Sequence, residues 1–353
     1  MKFGIFDYID LRDEPLRKIY DDRMALLRAA EDAVFVGYHL TEHHATPLSM
    51  TPSPTVFLAA AARETKRIRL GTLLYLLPLY HPVRLVEELC MLDHLSGGRL
   101  DIGVGRGIAP PEFEAYDVDF ARSQDDYDHA FNILRQGLTQ DRIDYHGGRY
   151  HLRDVPVVIP PLQRPHPPFW YGLRSSDHGT EFAAKRGING VTLGPDEKCA
   201  ATLAAFRQNW VAHADERKQY NSPVRSPMAG VMRTLFIADS DAEADRIARP
   251  AYARWYESLD WLWQRRGVTL PISIPQDFDK AKASGTLVVG GPDTVGDILE
   301  AQARRIGHNY LVLMLAFGSL THAQEMHSLE LFGREVMPRL AGLNTAADAL
   351  AAA

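Results

Sequence analysis

The chain has 353 residues, of which 46% are hydrophobic and 24% charged, and a formal net charge of −6. That mild acidity leaves no electrostatic footprint for nucleic acid or an anionic membrane, and no apolar run reaches the ~18 residues that a transmembrane helix needs. Cys90 and Cys199 are too few and too far apart for a disulfide framework or a metal knot, which fits a reducing, cytoplasmic compartment.

Taken in order, the chain enters a strand at once, Lys2–Phe6, with no basic and apolar leader before it. A helix over Asp21–Gly37 carries Leu26, Ala30 and Ala33 on one face and stops at Gly37. The short strand Tyr38–Thr41 ends in Glu42-His43-His44, and Ser53-Pro54 open a helix reaching about Thr65. Ile68–Tyr75 is a dense apolar strand. Val83–Ser96 is a helix with Leu85, Leu89 and Leu92 at helical spacing, closed by Gly97-Gly98. Leu100–Gly105 is the next strand, and Ser123–Gln140 the next helix. Tyr145–Ile159, with Gly147-Gly148 between alternating runs, reads as a hairpin. Strands over Phe169–Leu173, Gly190–Leu193, Met228–Ala238 and Tyr310–Leu315 alternate with helices opening at Ser175, Asp196, Asp241 and Gln324. Trp255–Gly285 breaks the rhythm with three tryptophans and no sustained period and reads as an insertion, a mobile lid. The alanine-rich end, 341–353, is expected to fray.

Eight strands, each followed by a helix, predict an α/β fold of the (β/α)8 TIM-barrel type. One domain then spans 1–340, with insertions near 145–168 and 255–285. A barrel gathers its chemistry at the C-terminal strand ends. Those ends here offer Asp7 and Tyr8, His43 and His44, Leu73 to Tyr75, Arg106, Ser175 and Ser176, and Phe317-Gly318. They lack the carboxylate pair of a glycosidase and a Schiff-base lysine. They also lack a metal set, because Glu42, His43 and His44 are contiguous with no H-x-x-x-H spacing. The remaining apolar walls suit a large planar ligand. Ser175 and Ser176 at a helix start, with Arg106, read either as an anion site or as a plain serine cap beside a surface arginine. Adjacent histidines on an extended strand point to opposite faces, so only one of His43 and His44 would face the mouth. Gly103-Val104-Gly105-Arg106-Gly107 is only a fragment of a dinucleotide loop.

Three stretches resemble the bacterial-luciferase-like flavin-dependent monooxygenases: LTEHHATPLSMTPSPTVFLAAAARETKRIRLGT, LPLYHPVRLVEELCMLDHLSGGRLDIGVGRG and SLELFGREVMPRL. The resemblance implies reduced FMN as co-substrate, molecular oxygen, and a homodimer joined through the Ser53–Thr65 and Val83–Ser96 helices. A separate NAD(P)H:flavin reductase is expected because no nicotinamide-binding signature is present. It further implies that His43, with His44 beside it, is the catalytic histidine. Arg106, Ser175 and Ser176 would hold the flavin phosphate, with Gly179 and Thr180 on the same helical turn. Leu73-Leu74 matches the family's non-prolyl cis peptide beside the flavin ring, close to Gly105. Gly105 stands where light-emitting members carry a reactive cysteine, and Ser175 where they carry an acidic residue. The expected reaction is oxygenation of a small apolar organic compound. The alternatives are a deazaflavin-dependent hydride transfer on the same barrel, or flavin binding without catalysis.

Overall fold

A computed structural model describes residues 1–174 and 177–352. Its strands are β1 (Lys2–Asp7), β2 (Gly37–Leu40), β3 (Arg69–Thr72), β4 (Tyr75–Leu76), β5 (Leu100–Gly105), β6 (Arg142–Gly147), β7 (Tyr150–Pro156), β8 (Phe169–Gly172), β9 (Asn189–Thr192), β10 (Ala229–Ile237), β11 (Leu287–Gly290) and β12 (Tyr310–Met314). Eight of them pair in parallel around a closed ring, β1–β2–β3–β5–β8–β9–β10–β12, and β12 returns to β1. The predicted (β/α)8 barrel is therefore present, with every expected barrel strand in it. β4 continues β3 and pairs with β5. Because all eight strands run the same way, their C-terminal ends share one rim.

Outside the barrel strands, four local expectations differ. The first helix runs Leu16–Asp32, and Gly37 opens β2 instead of closing that helix. β11 is an additional parallel strand that pairs with the far half of β10, Thr234–Ile237, beyond the ring. The helix that opens at Asp241 does not end where the rhythm breaks at Trp255 but runs to Arg265 and carries all three tryptophans of that stretch, so only the segment after it is irregular. The C-terminal end is packed, not frayed. Ala347 and Leu350 are buried, and the Ala347 amide donates to Gly307 O at 3.0 Å. The hairpin forms between β6 and β7, with Gly148 at φ +55 in its turn.

Apolar burial is divided between two shells. Leu58, Leu85, Leu89, Leu134, Leu203 and Leu299 fill the space between strands and helices. Phe6, Trp170, Met232, Tyr310, Val312 and Met314 fill the barrel interior. Interior packing depends on glycine. A Cβ at Gly4 would lie 1.9 Å from the Tyr310 hydroxyl, and one at Gly103 would lie 1.9 Å from Thr72 O. The Gly103 requirement is thus backbone approach between neighbouring strands.

The seam between the first and last βα units is held by buried charge. Arg23 Nε lies 3.0 Å from Asp7 Oδ2 and Arg23 Nη1 2.9 Å from Glu325 Oε2, while Arg12 Nη2 reaches Glu325 Oε1 at 2.5 Å. Tyr38 donates to Asp7 at 2.9 Å. Burial alone would raise the Glu325 carboxyl, but the Arg23 and Arg12 charges overcome it and hold Glu325 at about 2. Its contribution to stability is therefore complete above its ordinary value of 4.5 and is lost as pH falls toward about 2. Glu325→Gln should cost about 3–5 kcal/mol near neutral pH, since it leaves Arg23 underpaired. In urea titrations the gap between wild type and variant should close as pH is lowered through that window. A gap independent of pH would show that the carboxylate charge is not what holds the seam.

Candidate active site at the barrel mouth

The loop leaving β2 sorts its three polar residues by burial. Glu42 and His44 turn into the wall, and His43 faces the cavity at the rim. Glu42 Oε2 accepts from the Leu76 amide at 3.2 Å and from Tyr80 at 2.9 Å; Glu42 Oε1 lies 2.8 Å from His44 Nε2. His44 Nδ1 lies 2.8 Å from the Tyr116 hydroxyl. Burial pushes the Glu42 carboxyl up, against the lowering effect of His44 and Tyr80.

His43 is oriented by a residue that the sequence reading did not include. Glu112, on the short helix Pro110–Glu114 that follows β5, is buried, and its Oε1 lies 3.0 Å from His43 Nδ1. The same oxygen accepts the His44 amide at 2.9 Å. That oxygen acts as an acceptor, so His43 Nδ1 faces it as the donor and Nε2 is left to the cavity side. Nε2 has no partner among the described residues. Tyr8 stacks on the imidazole at 5.7 Å between ring centroids and also packs on Trp255.

The cavity beside His43 has a volume of about 510 Å³, within the usual range for a bound small molecule or cofactor. Its floor is the top layer of the barrel interior: Phe6, Leu73, Val191 and Met232. Its cover comes from Leu259, Leu262 and Trp263 of the long helix and from the segment 270–274. The stretch read as an insertion thus forms a cavity wall. The Leu73–Leu74 peptide is cis, and both side chains line the cavity.

The remaining predicted residues that the structure describes are not among those lining the cavity. Gly105 is filled over by its neighbour: a Cβ there would fall 2.3 Å from Leu74 Cδ1. Arg106 donates to Ser123 Oγ at 3.4 Å and lies over the Phe120 ring at 5.1 Å. Gly179 and Thr180 are buried in the first turn of the helix Asp177–Arg186, where Thr180 Oγ1 accepts from Asn209 at 3.0 Å. Ser175 and Ser176 fall outside the described residues. Arg174 was not predicted, although it is the basic residue next to the serine pair at the end of β8. It lines the cavity. Loss of solvent around its guanidinium, and then the neighbouring Arg106 charge, hold Arg174 below the ordinary arginine range. Neither arginine has a carboxylate partner among the described residues. Two such cations close together make a seat for a doubly charged anion.

A family model described as luciferase-like monooxygenase matches residues 1–309. The chain is 34% identical over 340 residues to the uncharacterized protein y4wF of Sinorhizobium fredii, covering 96% of this chain and 97% of that one. It is 26% identical over 361 residues to the oxygenase component of a flavin-dependent trigonelline monooxygenase from Acinetobacter baylyi, covering 96% and 95%. Among solved structures, monooxygenase RslO1 from Streptomyces bottropensis superposes with a TM-score of 0.85 at 25% identity, over 96% of this chain and all of that one.

Proposed function

Since the chain belongs to the luciferase-like monooxygenase family, we propose that it is the oxygenase component of a two-component system that uses reduced FMN and O2 to oxygenate a small, largely apolar organic compound. The observation that carries this reading is the cavity of about 510 Å³ with His43 and Arg174 on its wall, Arg106 close to Arg174, and no carboxylate paired with either arginine among the described residues. The residues present fit FMN. Arg106 and Arg174 suit the phosphate, with Ser175, Ser176, Gly179 and Thr180 assigned to the same end. Leu73 and Leu74, with Leu74 filling the space over Gly105, suit a flat ring. Reduced FMN, when bound, supplies the electrons for the reaction with O2.

The chain's own residues do the rest. The apolar floor and the cover from the long helix keep bulk water from the reacting atoms. His43 is the catalytic histidine: with Nδ1 held by Glu112, it presents Nε2 to the cavity and can hold or move a proton there. His44 acts through its neighbours. Its amide and ring are tied to Glu112, Glu42 and Tyr116, which fixes the loop that carries His43. Reduced flavin comes from a separate NAD(P)H-dependent reductase, because the glycines of β5 are accounted for by strand packing and Leu74, not by a nicotinamide site.

No helix among the described residues is long and apolar enough to cross a membrane, and both cysteines are free and buried, which supports a cytoplasmic location. Val56, Met91 and Leu95 stand exposed on the helices Pro54–Glu64 and Pro82–Ser96, a face suited to a homodimer.

His43→Ala should retain FMN binding while oxygenation falls by roughly 10²–10⁴-fold; unchanged turnover would remove His43 from the chemistry. Arg106→Ala should weaken FMN more than riboflavin in fluorescence titrations, and an equal loss for both would take Arg106 off the phosphate. Oxygen consumption with reduced FMN separates this reading from hydride transfer with a deazaflavin and from binding without turnover. Sedimentation velocity should give a dimer that Met91→Asp dissociates; a monomeric wild type would refute the helix face.

A further inference from the structure

The cavity has one more cation than the cofactor reading uses. Lys198, two residues into the helix Asp196–Ala212, lines the same cavity as His43. Its Nζ donates to Ser273 Oγ at 3.1 Å, which ties it to the segment 270–274 that covers the mouth. No carboxylate of the described residues lies within ion-pair distance of it. Lys198 and Ser273 both keep contact with solvent at the rim, while Leu259, Leu270, Ile272 and Ile274 continue the wall as apolar surface toward the barrel floor. An ammonium on a flexible stem has three donors, and the serine uses one. This distribution, apolar depth with a cation at the lip, suits an amphiphile that carries one negative charge.

We propose that Lys198 receives the anionic head group of the substrate, a carboxylate, and that the substrate's apolar body lies under the segment 270–274, so that the oxygenated compound is an apolar carboxylic acid. This rests on the oxygenase reading for the identity of the reaction, but the preference for an anion rests on the cavity alone. Because Ser273 belongs to the cover and Lys198 to the barrel, the same contact couples head-group binding to closure of the cavity.

The test uses the full-length protein loaded with oxidised FMN, titrated calorimetrically at low salt with octanoate and with 1-octanol, two probes of equal chain length that differ in charge. Wild type should prefer octanoate by roughly tenfold, the scale of a charge-assisted bond at a partly exposed site. Lys198→Met should lose that preference while its octanol and FMN affinities stay at the wild-type level, and Lys198→Arg should restore most of it. Equal binding of the two probes by wild type, binding of neither, or a preference that survives in Lys198→Met would overturn the proposal. So would a Lys198→Met variant whose defect is in FMN affinity, since that assigns the lysine to the cofactor phosphate. Failure of oxygen consumption with reduced FMN would strike the oxygenase reading and leave the octanoate preference standing.

Discussion

Glu112 Oε1 lies beneath the loop that leaves β2, accepting from His43 Nδ1 and from the His44 amide at once. A buried carboxylate oxygen with two donors is costly to leave unpaired, so both partners are held to it. The consequence runs along the loop. With the His44 amide pinned, its ring turns inward to Glu42 and Tyr116, and the preceding imidazole is left at the cavity. The ring that faces the ligand space thereby has Nδ1 committed to Glu112 and Nε2 without a partner among the described residues. Glu42 performs the same service on the inner side, where one carboxylate gathers Leu76, Tyr80 and His44 and locks the stretch after β4 to the loop after β2.

The barrel beneath supplies the stiffness that such a site needs. Its lower interior is filled by large side chains, among them Trp170 and Tyr310, whose hydroxyl bonds His39 at 2.8 Å. Glycines at 4 and 37 make room for that hydroxyl. Filling stops at the level of Phe6, Leu73, Val191 and Met232, and above it the interior is cavity. One architecture therefore provides a solid base and an open mouth. The buried seam of Arg23, Asp7 and Glu325 keeps the first and last units from opening that ring.

The barrel was legible in the sequence because its parallel strands are buried on both faces and several of them, such as β1, β5 and β12, are short, mainly apolar runs between breakers. β11 was not legible: Leu287–Gly290 is four residues long and follows a stretch without period. The long helix was misread because Pro250 and the tryptophans interrupt its periodicity, yet Trp255 and Trp263 are buried by packing that the pattern alone does not show. At the site, the opposite facing of His43 and His44 was expected from strand alternation, but β2 ends at Leu40 and the facing is set by the contacts to Glu112 and Glu42. The Glu112 contact could not be stated in advance, since it joins positions 69 residues apart and exists only once the ring has closed. Arg174 and Lys198 gain meaning for the same reason, because a basic residue on a helix start looks like a solvated charge until the cavity is drawn around it.

Position 105 has no backbone need for glycine in this chain; its side-chain volume has been taken by Leu74. The two positions, on β5 and on the link between β3 and β4 beside it, therefore share one allotment of space. A lineage can place a reactive group at 105 only after residue 74 has become small, and can enlarge residue 74 only while 105 stays bare. Substitutions at these sites should accordingly travel as pairs, and the member of the pair that is large decides whether this part of the mouth is chemically active or merely greasy.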